Sequence, residues 1–306
     1  GLTGIHRRFL DETVADFRQA GADLPPEKRA RLEALQTELA QLTQKYSENV
    51  LDATNAWQLI VTDEARLAGL PAHAKAAARR SAEAKGVVGW RFTLHQPSLE
   101  PFLTYLAEDA LRREMWTASA AVGARAPHDN AGLVGRVLTL RAEKAALLGK
   151  EHFADLVLER RMAKSGARAL AFIDDMHDRA REPFARECRE LEEFKARLGG
   201  GSPTRLAPWE IGFWAEKLRK ERYDFDEEIL RPYFPMDRVI AGLFELVGRV
   251  CFGRGEYRRD PAVETWHPEV KFYDVHDARG RHVGSFYADW HPRESKRGGA
   301  WMNYLL

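Results

Sequence analysis

Six titratable side chains crowd the C-terminal end of the sequence: His267, Asp274, His276, His282, Asp289 and His291. Imidazoles and carboxylates at this density are the raw material of a metal site or of acid–base chemistry. Asp277-Ala-Arg-Gly280 reads as a turn between two extended runs, so His276 and His282 flank it and could face each other across a hairpin and share a metal. No carboxylate stands at a diagnostic spacing from them, and an ordinary pair of strand-end histidines satisfies the same pattern. A second group, Asp174, Asp175 and Asp178 with Glu190, Glu192 and Glu193, offers paired carboxylates or the solvated outer face of a long helix. The basic residues within 158–168 and 217–222 alternate with acids and read as solvated faces too.

Motifs that need a fixed spacing are absent from the sequence. None of the ten histidines opens a His-Glu-x-x-His, and there is no C-x-x-C, P-loop or G-x-S-x-G. Gly253-Arg-Gly255 lacks the third glycine of a dinucleotide loop and follows a helix instead of opening one, which fits a helix cap. Local chemistry therefore assigns no catalytic residue and no metal ligand.

The elements that would position these residues are mostly helical. Ile5, Phe9, Thr13 and Phe17 share a helix face that ends at Gly21. Pro25-Pro26 opens a long helix whose core stripe is Leu32, Leu35, Leu39, Leu42, Tyr46 and Val50. Residues 57–61 and 88–94 read as short strands able to pair as a ribbon, with an Ala-rich helix from Pro71 to Gly86 between them. Helices are expected at 98–122, 130–148 (Asn130 as N-cap, Gly149 as C-cap), 151–160, 165–198 (with a bend at Pro183), 209–222 and 236–252. Gly199-Gly-Gly-Ser-Pro203 reads as a surface loop in preference to a domain boundary. Beyond Trp266 the period changes to two: a hairpin spans Val270–Asp274 and His282–Trp290, and Gly298–Met302 is a candidate third strand.

Composition narrows the class. Among 306 residues, 47 basic and 46 acidic side chains nearly cancel, which argues against a nucleic-acid partner. A 44% hydrophobic fraction suits a folded core, and no apolar run is long enough for a membrane span. The first residues form a charged amphipathic stretch unlike a signal peptide, and Cys188 and Cys251 read as reduced thiols, so the cytoplasm is the expected compartment.

Several strings, taken in order, resemble one family. They are Asn49-Val-Leu-Asp-Ala-Thr-Asn-Ala-Trp57, Val61-Thr-Asp-Glu-Ala65, Leu67-Ala-Gly-Leu-Pro71, Leu230-Arg-Pro-Tyr-Phe-Pro235, Trp266-His-Pro-Glu-Val270, Gly284-Ser-Phe-Tyr-Ala-Asp289 and Lys296-Arg-Gly-Gly-Ala-Trp-Met302. Their order and spacing, from about residue 20 to 302, resemble the thimet-oligopeptidase (M3) family of zinc metallopeptidases. The resemblance implies a mainly α, two-lobed, zincin-type oligopeptidase fold with a small β-sheet near the C-terminal end of this chain. It implies a helical N-terminal lobe over 1–160, carrying the short ribbon, and over 161–306 the beginning of a catalytic domain.

The family's deep channel admits short unstructured peptides, and its zinc, held by a His-Glu-x-x-His helix and a later glutamate, activates water. Those residues would lie after residue 306, so the chain is expected to stop before the zinc helix, to bind no zinc and to be inactive alone. Its expected partners are short peptides and the missing C-terminal catalytic part. Gly298, Gly299, Ala300 and Trp301 are the expected substrate-binding residues, as an edge strand of the channel; a glycine turn leading into a buried Trp301 fits equally well. Trp290-His291 departs from the family's Leu-Tyr-like pair. A non-catalytic helical scaffold that binds partners through its long helices is the alternative.

Overall fold

The computed structural model describes residues 2–251, 256–259 and 262–303. The expected Gly253–Gly255 cap falls outside them. By its internal contacts the chain divides into two compact units, residues 1–215 and 216–306. No helix among the described residues is long and apolar enough to cross a membrane.

The first unit starts with α1 (Gly4–Gln19) and the 31-residue α2 (Pro26–Ala56), which begins at Pro25-Pro26 as expected. β1 (Gln58–Val61) and β2 (Trp90–Thr93) pair antiparallel, Gln58 opposite Thr93 and Val61 opposite Trp90, with α3 (Ala72–Ala84) between them in sequence. Leu67 and Leu70 are buried in the same core as Phe92, Phe102, Leu111 and Met115. Gly69 between those leucines sits at φ +91°, and a Cβ there would lie 2.3 Å from the Tyr105 carbonyl oxygen. The Leu-Ala-Gly-Leu-Pro string is thus two core anchors around a glycine that lets backbone meet backbone; the Ala107 amide donates to the Ala68 carbonyl at 2.8 Å beside it.

One long helix was expected over 98–122; two are found, α4 (Gln96–Tyr105) and α5 (Asp109–Ala120). Arg112 explains the break. Its guanidinium, 2% exposed, donates from Nη1 to the Leu106 and Ala107 carbonyls (2.6 and 3.0 Å) and from Nη2 to Asp109 (2.8 Å). It also reaches the Trp209 carbonyl (3.3 Å) and stacks 4.1 Å from the Phe213 ring centroid. Burial pushes its proton affinity below the usual arginine value, while Asp109 and Glu210 oppose that shift. Carbonyls that a continuous helix would consume are instead turned toward a buried cation.

α6 (Ala131–Leu147) packs on α2. Two bidentate pairs lace them together: Arg31 with Glu143 (2.5 and 2.6 Å) and Arg136 with Glu38 (2.6 and 2.8 Å). Asn130 stands at the N-cap position, but its side chain does not cap. It is buried, accepts from the Asn49 amide (2.8 Å) and donates to the Tyr46 carbonyl (3.2 Å), while Asp129 receives the Ala131 N–H. The α2 stripe is correspondingly modified. Leu32 and Leu35 are fully buried, but Asn49 is the next buried residue and Tyr46 is exposed. Gly149, just past α6, is left-handed (φ +74°) and fulfils its expected role.

α7 (Phe153–Leu158) and α8 (Gly166–Gly199, containing Pro183) follow. The stretch after Gly199, through Pro203, is a loop within the first unit, and across it Lys195 on α8 donates to Glu210 (2.6 Å) on α9 (Pro208–Tyr223). In the second unit α10 (Met236–Cys251) precedes a three-stranded antiparallel sheet ordered β3 (Glu256–Arg259), β4 (Lys271–His276), β5 (His282–Ala288).

Several helices carry apolar faces that the chain leaves uncovered. On α1, Ile5 is 79% and Phe9 74% exposed, although Arg160 ties the helix down through Glu12 and Asp16. Leu170, Phe172 and Ile173 on α8, and Leu243, Leu246 and Val250 on α10, are exposed as well. So much open apolar surface favours association. The purified chain is expected to bind a hydrophobic dye and to sediment with a concentration-dependent mass; a monomer of constant mass without dye binding would contradict this. Replacing Arg112 by Met should cost about 2–4 kcal/mol in urea unfolding, because several buried carbonyls lose their donor. Arg112→Lys should recover less than half of that, since an ammonium cannot span the same fork; full recovery would show that charge alone is what matters.

Candidate functional site

The C-terminal titratable residues do not form one cluster: some gather at the turn end of the sheet of the second unit, Asp289 at its other end, and His267 with neither. β4 lies in the middle, paired to β3 from Glu256 opposite His276 to Arg259 opposite Tyr273, and to β5 from Lys271 opposite Ala288 to His276 opposite His282. This hairpin matches the expected one. Its turn is held by Asp277, whose carboxylate accepts the amides of Arg279 and Arg281 (2.9 and 3.0 Å) and the Arg281 guanidinium (2.8 Å). Aromatic rings cover both faces. Tyr273 stacks on Phe286 with Phe244 of α10 edge-on to both, and across the sheet Tyr287 meets Phe272 and Trp266.

At the turn end, His276 and His282 meet as expected, with ring centroids 5.7 Å apart. His282 Nε2 is 2.7 Å from the Ser285 hydroxyl, which donates to Asp274 Oδ1 at 2.6 Å. The serine proton is thus turned to the carboxylate and not to the imidazole, which is the wrong polarity for a nucleophilic serine. The His276 Nδ1 is buried without a hydrogen-bond partner. Two imidazoles and one carboxylate already engaged do not make a metal cage: among the described residues no three His, Cys, Asp or Glu side chains converge to hold an ion. The residues present do not fit zinc.

At the other end Asp289, directly after β5, is a hub that the spacing of the histidines gave no hint of. Arg293 binds it with both terminal nitrogens (2.7 and 2.8 Å), Lys296 approaches to 3.1 Å, and the Trp266 indole donates at 3.3 Å. The Arg293 guanidinium, ahead of Lys296 and Trp266, holds the Asp289 carboxyl far below the usual carboxylate range, against the opposing effect of burial. Lys296 also donates to the carbonyls of Asp289 and His291 (2.8 and 3.0 Å). The signal was present as Asp-x-x-x-Arg followed by Lys, a spacing that closes one turn around a single carboxylate. His267 belongs to neither group: its Nδ1 accepts the Glu269 amide (3.2 Å) in a local turn.

This clamp delivers the chain to Gly298, Gly299, Ala300 and Trp301. They form no strand; the third strand of the sheet is β3, which takes the other side of β4, and among the described residues β5 is left as an edge. Gly299 at φ +97° interrupts the extended run that a strand would need. Nor is Trp301 buried. It is 51% exposed, with the Arg297 guanidinium 4.7 Å from its ring centroid. Open space surrounds the missing Cβ of both glycines. Trp290 and His291 are exposed too.

Known proteins resemble the chain strongly. The family model described as peptidase family M3 matches residues 102–306. Oligopeptidase A of Haemophilus influenzae is 41% identical over 302 residues, covering 97% of this chain and 44% of that protein. Oligopeptidase A of Escherichia coli K12 is 41% identical over 308 residues, 99% of this chain and 45% of that protein. Dipeptidyl carboxypeptidase of E. coli K12 is 31% identical over 312 residues, again 45% of its length. The chain therefore spans less than half the length of the curated relatives it matches.

The Asp289 clamp has a pH signature. A carboxylate whose folded pKa is depressed contributes stability above its unfolded value, about 3.9, and loses it as pH falls toward the folded value. Asp289→Asn should destabilise the second unit by about 1–3 kcal/mol near neutrality. The gap to wild type should narrow below about pH 4. Urea unfolding followed through tryptophan fluorescence at a series of pH values checks this, and a gap that stays constant into acid would refute the clamp.

Proposed function

The chain belongs to peptidase family M3, and from that premise we propose that it forms the N-terminal part of an oligopeptidase that hydrolyses short, unstructured peptides in the cytosol. What carries the reading is 41% identity to two oligopeptidases A across nearly all of this chain. Family M3 enzymes are zinc-dependent, and the metal supplies an activated water. The cage for that metal belongs to a C-terminal catalytic part, and the chain alone binds no zinc and hydrolyses nothing.

The role left to these residues is to hold peptide. β5 is an edge strand whose outer main-chain groups suit an extended peptide, recognised by backbone hydrogen bonds with pockets for alternate side chains. Gly298 and Gly299 leave room for another backbone, and Ala300 adds little bulk. Trp301, backed by Arg297, offers an apolar platform with a cation beside it for a substrate side chain. The Asp289 clamp positions this segment relative to the sheet and takes no part in proton transfer.

Purified chain should carry no stoichiometric zinc and should not cleave quenched fluorescent peptides. Fused to the C-terminal remainder of E. coli oligopeptidase A, it should cleave short peptides in a chelator-sensitive manner and spare folded proteins. Stoichiometric zinc with chelator-sensitive hydrolysis by the chain alone would overturn the division of labour. A folded, zinc-loaded fusion without activity would overturn the peptidase reading itself.

A further inference from the structure

The first unit contains an open cleft of about 760 Å³ between the C-terminal end of α2, α5 and the loop 121–130. Its wall is made of small and apolar side chains, among them Ala53, Ala118, Ala121, Val122, Leu94 and the half-buried Trp57. The alanines are what leave the space. Arg113 and Arg125 line the same cavity, with Glu114 and His128. With histidine neutral, that lining carries one net positive charge.

The two arginines differ from those that the chain commits to carboxylate forks. Arg31, Arg66, Arg136, Arg160 and Arg293 each bind carboxylates with more than one nitrogen. Among the described residues neither Arg113 nor Arg125 has an acidic partner. Arg113 is instead laid over the Trp209 ring, 5.3 Å from its centroid, which restrains the guanidinium without neutralising its charge. The loop bearing Arg125 is also fixed in place. The Asn130 amide donates to the Gly123 carbonyl (2.9 Å), the His128 amide to the Arg125 carbonyl (2.9 Å), and Asn130 itself is anchored to α2. An apolar cleft rimmed by two guanidiniums that no protein carboxylate holds suits one chemical type, an apolar body with an anionic end.

We propose that this cavity is a binding site for a small aromatic or aliphatic monocarboxylate, its apolar body against Trp57, Leu94 and the alanines and its carboxylate held by Arg113 and Arg125. The site is independent of the peptidase reading, because none of its residues belongs to the sheet or to the segment after it. Glu114 repels a second anionic group, so a dicarboxylate is a poorer ligand.

Titration of the whole chain with 3-phenylpropanoate, followed by calorimetry and by saturation-transfer NMR, tests this directly. Saturable binding is expected, with the uncharged amide of the same acid at least about tenfold weaker, since bonds between charged partners are being exchanged for neutral ones. Arg113→Gln and Arg125→Gln, both at exposed positions that should leave folding intact, are expected to bring the acid down to the level of the amide without changing the amide. Ala53→Leu, which fills the cleft from α2, is expected to weaken both. The proposal is overturned by equal binding of acid and amide, by acid binding that survives both glutamine variants, or by no saturable binding in the millimolar range.

Discussion

The buried cation of Arg112 organises one side of the first unit. An unpaired guanidinium removed from water costs several kcal/mol, more than any one surface contact returns. Arg112 escapes that penalty only because the chain breaks between α4 and α5 and offers it the Leu106 and Ala107 carbonyls, while Asp109 supplies a counter-charge. The same group reaches the Trp209 carbonyl and lies on Phe213, so α9 is seated on α5 by the requirement that created the break. Trp209 in turn donates to Asp109 and carries Arg113 on its face. The positions of α4, α5 and α9, and one wall of the cleft beside α5, follow from how one cation is solvated by protein.

Elsewhere hydrophobic burial outweighs ion pairing. The Arg31–Glu143 and Arg136–Glu38 pairs lie at the surface, where solvent screening leaves them little net stabilisation despite their bidentate geometry. Burying Leu32 or Leu35 is worth about 1.5–3 kcal/mol. The pairs therefore fix the register of α2 against α6 more than they stabilise it. The Asn49–Asn130 contact is more specific: two amides buried at a helix interface must find each other, and any slip would leave both unpaired. The string from Asn49 to Trp57 is thus read most directly as helix-packing information.

Helical periodicity, proline and glycine punctuation and the change to period two made most elements legible in advance, including the ribbon, the hairpin and the Gly199–Pro203 loop. What was not legible shares one cause, the long-range use of a polar group. Residues 98–122 have an unbroken helical pattern, and the partners that favour the split are distant in sequence: Trp209 and Phe213 for Arg112, and Ala68 for the Ala107 amide. Asn130 looks like a cap until Asn49, 81 residues away, claims its side chain. Gly298–Met302 resembles a strand, but β4 has two sides, and both are taken by 256–259 and β5. The family resemblance reached further than residue-level chemistry because ordered strings integrate many such distant contacts at once.

Polar groups at the sheet are committed in the same way, and that bears on function. Asp277 closes the turn, Asp274 receives Ser285, His267 caps a local turn, and Asp289 is saturated by Arg293 and Lys296. A general base must keep a lone pair available and a proton affinity near working pH, and Asp289, held far below the carboxylate range, has neither. Among the described residues β5 instead has no strand on its outer side, and the chain after it carries two glycines with space around them and a half-exposed tryptophan. Groups arranged in that way can grip a peptide backbone and cannot attack it. On the proposed peptidase reading, the sheet therefore grips the peptide and the metal-bearing part of the enzyme cleaves it.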